Sequence, residues 1–246
     1  MSILVLGGSR GIGRAIAVGL ARPGVQVLIN YRSMDSAAEE ARQEVEAQGA
    51  SAFLLRGDIS SPEGAADVMA RASRLTSRLD TLVHCTVKTI PGPILSADPD
   101  AFRDAVEVNA MSLLYAVQRA MPMLGAGSSV IFLSSRGARM ALKNYASVGA
   151  PKAMAEALIR YMAVELAGIG ARANVVSPTA QDTAAFRDIF PTDHAERLAA
   201  AARLSPSGRA VEARHIVDLV RFLASPAAEM IQGQVITLDG GSALAG

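Results

Sequence analysis

The chain opens on the stretch SILVLGGSRGIG at residues 2–13, and this stretch decides the fold. Residues 2–6 predict a short buried β-strand, and the alanine-rich segment at 12–22 predicts a helix that follows almost at once. Glycines between them let the backbone turn sharply and let another group approach the main chain closely. The first amides and the positive end of such a helix attract phosphate. The stretch therefore predicts a strand-turn-helix that binds the pyrophosphate of a dinucleotide.

The same segment also matches the Gly-x-Ser-x-Gly pattern of serine hydrolases at residues 7–11. Asp182 with His194 or His215 could formally complete a catalytic triad. The nucleophile of such enzymes normally follows several strands of its sheet, whereas Ser9 follows the first. A hydrogen-bonding loop residue is therefore the favoured interpretation of Ser9.

Outward from this turn, short apolar runs alternate with amphipathic segments along the whole chain, which is typical of a parallel sheet covered on both faces. We expect an α/β fold of the Rossmann type, with three layers and a doubly wound sheet of seven mainly parallel strands. One domain spans residues 1–246, and the Pro-containing stretch 178–210 is expected to form a substrate lid around a short helix. Strands are expected at 2–6, 25–30, 51–56, 80–85, 129–134, 172–177 and 234–238. Helices are expected near 12–22, 35–48, 62–78, 100–122, 152–168 and 211–224.

Composition limits the classes of partner. With 24 basic and 23 acidic residues the formal net charge is +1, which gives no broad field for nucleic acid or an anionic membrane. A neutral small substrate or a local phosphate site fits this balance better. One cysteine and three scattered histidines predict neither an internal disulfide nor a metal site, and favour a reducing, cytoplasmic location. We expect no signal peptide and no membrane span.

The end of the second predicted strand bears on the choice of cofactor. Dinucleotide-binding proteins that prefer NADH usually carry an acid there to hold the ribose hydroxyls. This chain has Tyr31, Arg32 and Ser33 instead. A 2′-phosphate meets no repulsion at this place, and Arg32, helped by Arg10, can pair with it. The sequence therefore favours NADPH over NADH, although Arg32 could also be a solvated residue at a strand end.

Asp58 and Ile59 follow the third predicted strand. The carboxylate could accept from an adenine amino group while the isoleucine packs on the ring. Alternatively, Asp58 only caps a turn.

Taken together, these segments resemble the short-chain dehydrogenase/reductase family over essentially the whole chain. The matching pieces are the glycine loop, Asp58-Ile59, Asn109, Ser134-Ser135, Tyr145 with Lys152, Ser177-Pro178-Thr179 and the closing stretch 235–241. The resemblance implies an oxidoreductase, and it implies a homo-oligomer, dimeric or tetrameric, in which helices near 100–122 and 152–168 pair. It implies catalytic roles for Tyr145, Lys152, Ser135 and Asn109. Residues expected at the cofactor are Gly7, Ser9, Arg10, Gly11, Ile12, Gly13, Tyr31, Arg32, Ser33, Asp58, Ile59, His84, Cys85, Thr86, Tyr145, Lys152, Pro178, Thr179 and Thr183.

The spacing of the tyrosine and the lysine indicates which branch of the family the chain resembles. The family usually has Tyr-x-x-x-Lys, but Val148 stands four residues before Lys152 and Tyr145 stands seven before it. Seven residues turn a helix through about 700°, so the two side chains could share one face. This Tyr-x6-Lys form is similar to the NADPH-dependent enoyl-[acyl-carrier-protein] reductase III branch. Pro151 suits only a first helical turn, which predicts that Tyr145 precedes the helix.

The resemblance implies reduction of the 2,3 double bond of an α,β-unsaturated acyl thioester, in fatty-acid or specialised acyl-chain biosynthesis. Tyr145 would stabilise the enolate oxygen, Ser135 would donate a second hydrogen bond, and Lys152 would hold the nicotinamide ribose and favour ionisation of the phenol. Two alternatives remain. One is a ketoreductase or alcohol dehydrogenase with the shifted tyrosine. The other is a catalytically weak NADPH-binding protein, suggested by Pro151 and by His84-Cys85-Thr86. This segment belongs to the stretch 83–87, where the family commonly has Asn-Asn-Ala-Gly.

Overall fold

A computed structural model of the chain describes residues 1–244 and places seven strands in one sheet. Their order is β3-β2-β1-β4-β5-β6-β7, and every neighbouring pair is parallel. The predicted α/β doubly wound sheet is therefore confirmed. The strands are β1 Ser2–Leu6, β2 Gln26–Tyr31, β3 Ser51–Arg56, β4 Thr81–His84, β5 Ser129–Leu133, β6 Arg172–Pro178 and β7 Val235–Leu238.

Helices cover both faces of the sheet. They are α1 Gly11–Leu20, α2 Asp35–Ala47, α3 Pro62–Leu75, α4 Pro99–Val106, α5 Ser112–Ala120, α6 Ala146–Ala167, α7 Ala184–Ile189, α8 His194–Leu204 and α9 Ala213–Leu223. Side chains of α3, α5 and α6 pack on one face, and those of α1, α2 and α9 pack on the other. Within residues 1–244, no helix combines the length and the apolarity that crossing a bilayer requires.

Strand β1 lies inside the sheet, between β2 and β4, and all of its residues are buried. Ile3 and Val5 join the core under α1, α2 and α9, while Leu4 and Leu6 join the core under α3, α5 and α6. Because both faces of the strand are covered, the sequence shows a continuous apolar run instead of an alternating one.

The helix predicted at 100–122 is divided in the structure. It consists of α4, a π-helical turn at Glu107–Met111 and α5. The π-helical turn holds Asn109, which is completely buried. Such turns insert one extra residue per turn and leave a local gap in the helical hydrogen-bond pattern.

The predicted start of the next helix, at residue 152, is wrong. Helix α6 begins at Ala146, so Pro151 lies in its second turn and not in its first. A proline there removes the amide that would bond to the carbonyl four residues earlier, which belongs to Ser147. The amide group of Asn109 supplies the missing donor: its Nδ2 donates to Ser147 O at 2.9 Å. The same side chain bonds both main-chain groups of Lys88 at 2.8 Å.

The stretch 178–210 contains two helices, α7 and α8, where one was expected. Pro191 lies between them. Because proline clashes with the carbonyl four residues before it and lacks an amide donor, it disfavours a single continuous helix across this point.

We expect Asn109→Ala to lower the free energy of unfolding by about 1–3 kcal/mol, because it leaves buried backbone groups without partners. Pro151→Ala restores an amide at position 151 and should reduce that loss by about 1 kcal/mol in the double variant. Urea unfolding followed by circular dichroism measures both quantities.

Asn174→Ala serves as the matched control, since Asn174 is also buried and bonds main-chain groups of Ile231 and Gln234 far from Pro151. Asn174→Ala should lower the free energy of unfolding by the same amount with proline or alanine at position 151. If Asn109→Ala lowers the free energy of unfolding by the same amount with proline or alanine at position 151, Asn109 and Pro151 are not coupled.

Candidate active site

Two adjoining cavities open at the carboxyl ends of the strands, where the chain order of the sheet reverses between β1 and β4. The polar groove, of about 410 Å³, runs from the turn after β1 to the ends of β2 and β3. The apolar cavity, of about 290 Å³, lies between the end of β5, the start of α6 and the helices α7 and α8. Ile12, Cys85 and Thr183 border both.

Most of the residues predicted to bind a cofactor line the polar groove. These are Gly7, Ser9, Arg10, Gly11, Ile12, Gly13, Tyr31, Arg32, Ser33, Asp58, Ile59, Cys85, Thr86 and Thr183. Tyr145, Lys152, Pro178 and Thr179 line the apolar cavity, together with Ser135. Only His84 and Asn109, among the predicted site residues, border neither cavity.

The turn between β1 and α1 is shaped for a close approach of its backbone. Gly7 has a φ of +73°, and a Cβ placed on Gly13 would overlap the carbonyl oxygen of Gly7. Arg10 is the N-cap of α1, and its side chain makes no capping hydrogen bond to the helix. The first amides of α1 therefore remain available to an anion in the groove. This geometry fits the pyrophosphate of a dinucleotide.

The other end of the polar groove carries two guanidiniums. Arg32 Nη1 lies 3.7 Å from Asp58 Oδ2, and both side chains are exposed. Arg10 Nη1 donates to Met34 Sδ at 3.2 Å. Asp58 Oδ1 also accepts from the amide of Ser60 at 2.9 Å, so the turn-capping role considered for Asp58 is present.

His84 lies behind the groove instead of in it. Its Nε2 is 2.7 Å from Ser112 Oγ and 3.1 Å from Thr86 Oγ1. Burial and, to a smaller extent, the charge of Lys152 hold the pKa of His84 well below its ordinary value. The imidazole is neutral, and its contacts indicate a structural role at the end of β4, in contrast to the predicted cofactor contact.

Tyr145 is the N-cap residue of α6 and projects into the apolar cavity from outside the helix. Its hydroxyl lies 3.0 Å from Ser135 Oγ. Its ring stacks on Phe190, with centroids 6.1 Å apart and planes 2° from parallel. Because Tyr145 precedes the first helical residue, as Pro151 predicted, Ser135 and Phe190 orient its side chain in place of a helical turn.

Lys152 is almost completely buried, with 4% of its surface exposed. Nζ donates to Leu133 O at 2.7 Å and to Thr86 O at 3.3 Å, and it lies 4.4 Å from the centre of the Phe132 ring. Burial lowers the pKa of this ammonium to about 8, although Cys85 and Glu156 act in the opposite direction.

The structure does not support the predicted effect of Lys152 on the tyrosine. Burial raises the pKa of Tyr145 above its ordinary value, and only the hydrogen bond from Ser135 acts against this. The ammonium of Lys152 is directed to main-chain carbonyls. The phenol of Tyr145 is consequently neutral at neutral pH, so its hydroxyl can either donate or accept the hydrogen bond with Ser135.

Sequence reasoning missed several residues of the two cavities. Asn30 lines the polar groove, and Arg136 and Arg197 line the apolar cavity. Arg136 directly follows the predicted Ser135, so its place in the sequence could have indicated that it lies near the site. Arg197 is part of the alanine-rich helix α8, and nothing in the local pattern distinguishes it from a solvated residue.

Known proteins that resemble this chain identify its family. A family model described as enoyl-(acyl carrier protein) reductase matches residues 7–243. The structure superposes on a short-chain type dehydrogenase/reductase of Mycobacterium ulcerans with a TM-score of 0.90, 29% identity, and coverage of 99% of this chain and 90% of the other. The chain belongs to the short-chain dehydrogenase/reductase family.

Two further members of the family show the range of reactions among its relatives. The 1-cyclohexenylcarbonyl-CoA reductase of Streptomyces collinus is 29% identical over 238 residues, which cover 97% of this chain and 85% of that protein. The angucycline C-6 ketoreductase LanV, solved with bound NADP, is 29% identical with a TM-score of 0.88 and coverage of 99% and 95%. As a short-chain dehydrogenase/reductase, this chain is an oxidoreductase.

In this short-chain dehydrogenase/reductase, burial of the Lys152 ammonium should lower the free energy of unfolding by an amount that depends on pH. Below pH 8 the folded protein carries a buried ammonium, whereas above about pH 10.5 the amine is neutral in both folded and unfolded chains. We expect Lys152→Met to be more stable than the parent below pH 8, by at most on the order of 3 kcal/mol. This advantage should shrink as the pH rises from 8 to 10.5, as measured by urea unfolding.

The two proteins are compared at each pH because Cys85, whose pKa burial raises to about 12, titrates in both. A stability difference that stays constant from pH 7 to 10.5 would mean that the ammonium of Lys152 is not desolvated in the folded state.

Proposed function

We propose that the protein uses NADPH to reduce the 2,3 double bond of an α,β-unsaturated acyl thioester. The observation that carries the proposal is the pairing of Tyr145 with Ser135 on the wall of the apolar cavity, next to the polar groove. The matching family model and the Streptomyces collinus relative support the same reaction class.

Nucleotide binding is assigned to the polar groove. The first amides of α1 hold the pyrophosphate, and the close approach of Gly7 to Gly13 makes room for it. Arg32 and Arg10 pair with the 2′-phosphate, because residues 31–33 at the end of β2 include no carboxylate. Arg32 would exchange its 3.7 Å contact with Asp58 Oδ2 for the phosphate. Lys152 holds the nicotinamide ribose. When bound, NADPH supplies a hydride to the β-carbon of the substrate.

The residues of the apolar cavity then stabilise the charge that develops on the substrate. As the β-carbon is reduced, negative charge gathers on the thioester carbonyl oxygen. Tyr145 and Ser135 donate hydrogen bonds to this oxygen. A phenol with a raised pKa suits this task, because it stays protonated and stabilises the enolate without giving up its proton. A proton taken from solvent water then adds to the α-carbon and completes the reduction, so that the substrate has gained one hydride and one proton.

Ketone reduction is the second candidate. The same Tyr145–Ser135 pair could bind a ketone oxygen, and the relative LanV is a ketoreductase. The absence of a contact between Lys152 and Tyr145 within the described residues makes transfer of the phenolic proton harder than in an arrangement with the ammonium close to the hydroxyl.

Parallel assays with crotonyl-CoA and acetoacetyl-CoA test the proposal, with NADPH oxidation followed at saturating cofactor. We expect turnover of crotonyl-CoA and a fall in kcat of about 10²- to 10³-fold in Tyr145→Phe, since one donor to the oxyanion is lost. The Kd for NADPH, measured by fluorescence, should stay close to that of the parent.

Tyr161→Phe is the matched control, because Tyr161 lies on α6 with 73% of its surface exposed. Turnover of acetoacetyl-CoA alone would replace the proposal with ketone reduction. Tight NADPH binding without turnover of either thioester would indicate a binding protein.

Cofactor preference is tested separately with Arg32→Ala. Loss of a charge-assisted hydrogen bond should raise the Kd for NADPH by about 10- to 100-fold and leave that for NADH nearly unchanged. Arg56→Ala is the control, since Arg56 is an exposed neighbour that pairs with Asp35 outside the groove. Equal weakening of both nucleotides would exclude a phosphate contact by Arg32.

A further inference from the structure

The charged residues that line the apolar cavity are all cationic. Arg136, Lys152 and Arg197 border it, and no aspartate or glutamate in residues 1–244 does so. The chain as a whole carries a formal charge of only +1, and Asp193, the carboxylate that pairs with Arg197, does not line the cavity, so the cavity wall carries a local excess of positive charge. Low-polarity walls screen such charges poorly, which strengthens their effect on a bound molecule.

Arg136 enters the cavity from the end of β5, directly after Ser135. It is half-buried, with Nε donating to Met140 Sδ at 2.7 Å and Nη1 lying 3.5 Å from Ser242 Oγ. Within residues 1–244 its guanidinium has only these weak, uncharged partners and makes no ion pair. Several of its five N–H donors are therefore left for another acceptor.

Arg197 enters from the opposite side, on helix α8. Its guanidinium lies 4.0 Å from the centre of the Phe190 ring and bonds Asp193 Oδ2 at 2.8 Å. Phe190 also stacks on Tyr145. The position of Arg197 is thus fixed by the same aromatic side chain that orients Tyr145, and one face of the guanidinium is held against an apolar surface.

We propose that Arg136 and Arg197 form an anion-binding subsite in the apolar cavity, so that the substrate carries a carboxylate or phosphate besides its reacting carbonyl. A planar guanidinium binds either group through two parallel hydrogen bonds. The charge can lie on the carrier arm of the thioester, as a phosphate, or at the far end of the acyl chain, as a carboxylate. The subsite rests on the proposed function for the reacting end of the substrate.

Three matched thioesters separate these sources. They are the hexenoyl thioester of N-acetylcysteamine, which is neutral, the hexenoyl thioester of phosphopantetheine, and an N-acetylcysteamine thioester of equal acyl length that ends in a carboxylate. We expect kcat/KM for one of the anionic substrates to exceed that of the neutral one by about tenfold or more, mainly through KM. The preference should decrease as salt is added. The anionic substrate that is preferred identifies the position of the charge.

The variants Arg136→Gln and Arg197→Gln remove each charge while keeping a polar side chain. Each should lower the ratio of kcat/KM for the anionic to the neutral substrate by about tenfold. Arg203→Gln is the control, because Arg203 is an exposed residue of the same helix α8 and does not line the cavity. Its ratio should match that of the parent. Equal rates for neutral and anionic substrates in the parent, or an equal fall in the ratio for Arg203→Gln, would overturn the subsite.

A binding measurement keeps this test independent of turnover. Calorimetry on the NADPH-loaded protein compares octanoate and octyl phosphate with octanol. Binding of an anion that Arg136→Gln weakens by about tenfold supports the subsite even if no thioester is reduced, in which case only the proposed reaction fails. If the neutral thioester is reduced but no anion binds better than octanol, the reaction stands and the subsite is refuted.

Discussion

The parallel pairing of β1 with both β2 and β4 is the constraint on which both cavities depend. Because the chain leaves β1 toward β2 on one side and returns to β4 on the other, the connections at their carboxyl ends diverge and leave a crevice. The turn after β1 opens directly into this crevice. Burial of β1 on both faces fixes the turn in place, so the amides of α1 always face the same space.

The end of β4 and the first two turns of α6 bring together three buried titratable groups. His84 is neutral, Lys152 is an ammonium with a lowered pKa, and Tyr145 is a phenol with a raised one. All three shifts have burial as their largest cause, and each disfavours the charged form. Burial thus costs stability at the place where a site has to select protonation states, which is a common trade at functional sites.

Two interactions compensate for departures from regular helix geometry. Asn109, in the π-helical turn, supplies the hydrogen bond that Pro151 takes from α6. Phe190, between α7 and α8, stacks on the ring of Tyr145 just outside that helix. Both act on the first two turns of α6, which end at Lys152. The position of the tyrosine relative to the lysine is therefore set jointly by α6, by the π-helical turn and by the segment after β6.

The sequence by itself determined the seven strands, the doubly wound class and the glycine turn, because apolar runs and glycine positions express local conformational preferences and burial. Tyr145 does precede α6, but the predicted start of α6 was wrong, because Pro151 does not limit the helix to its own first turn. The compensating donor, Asn109, lies 42 residues before Pro151, so no local pattern reveals it. Only the tertiary structure decided which way Lys152 points, that His84 lies behind the groove, and that Arg136 and Arg197 line the same cavity. Those facts depend on side chains brought together from distant segments, and their pKa values depend on the resulting burial, which no local pattern encodes.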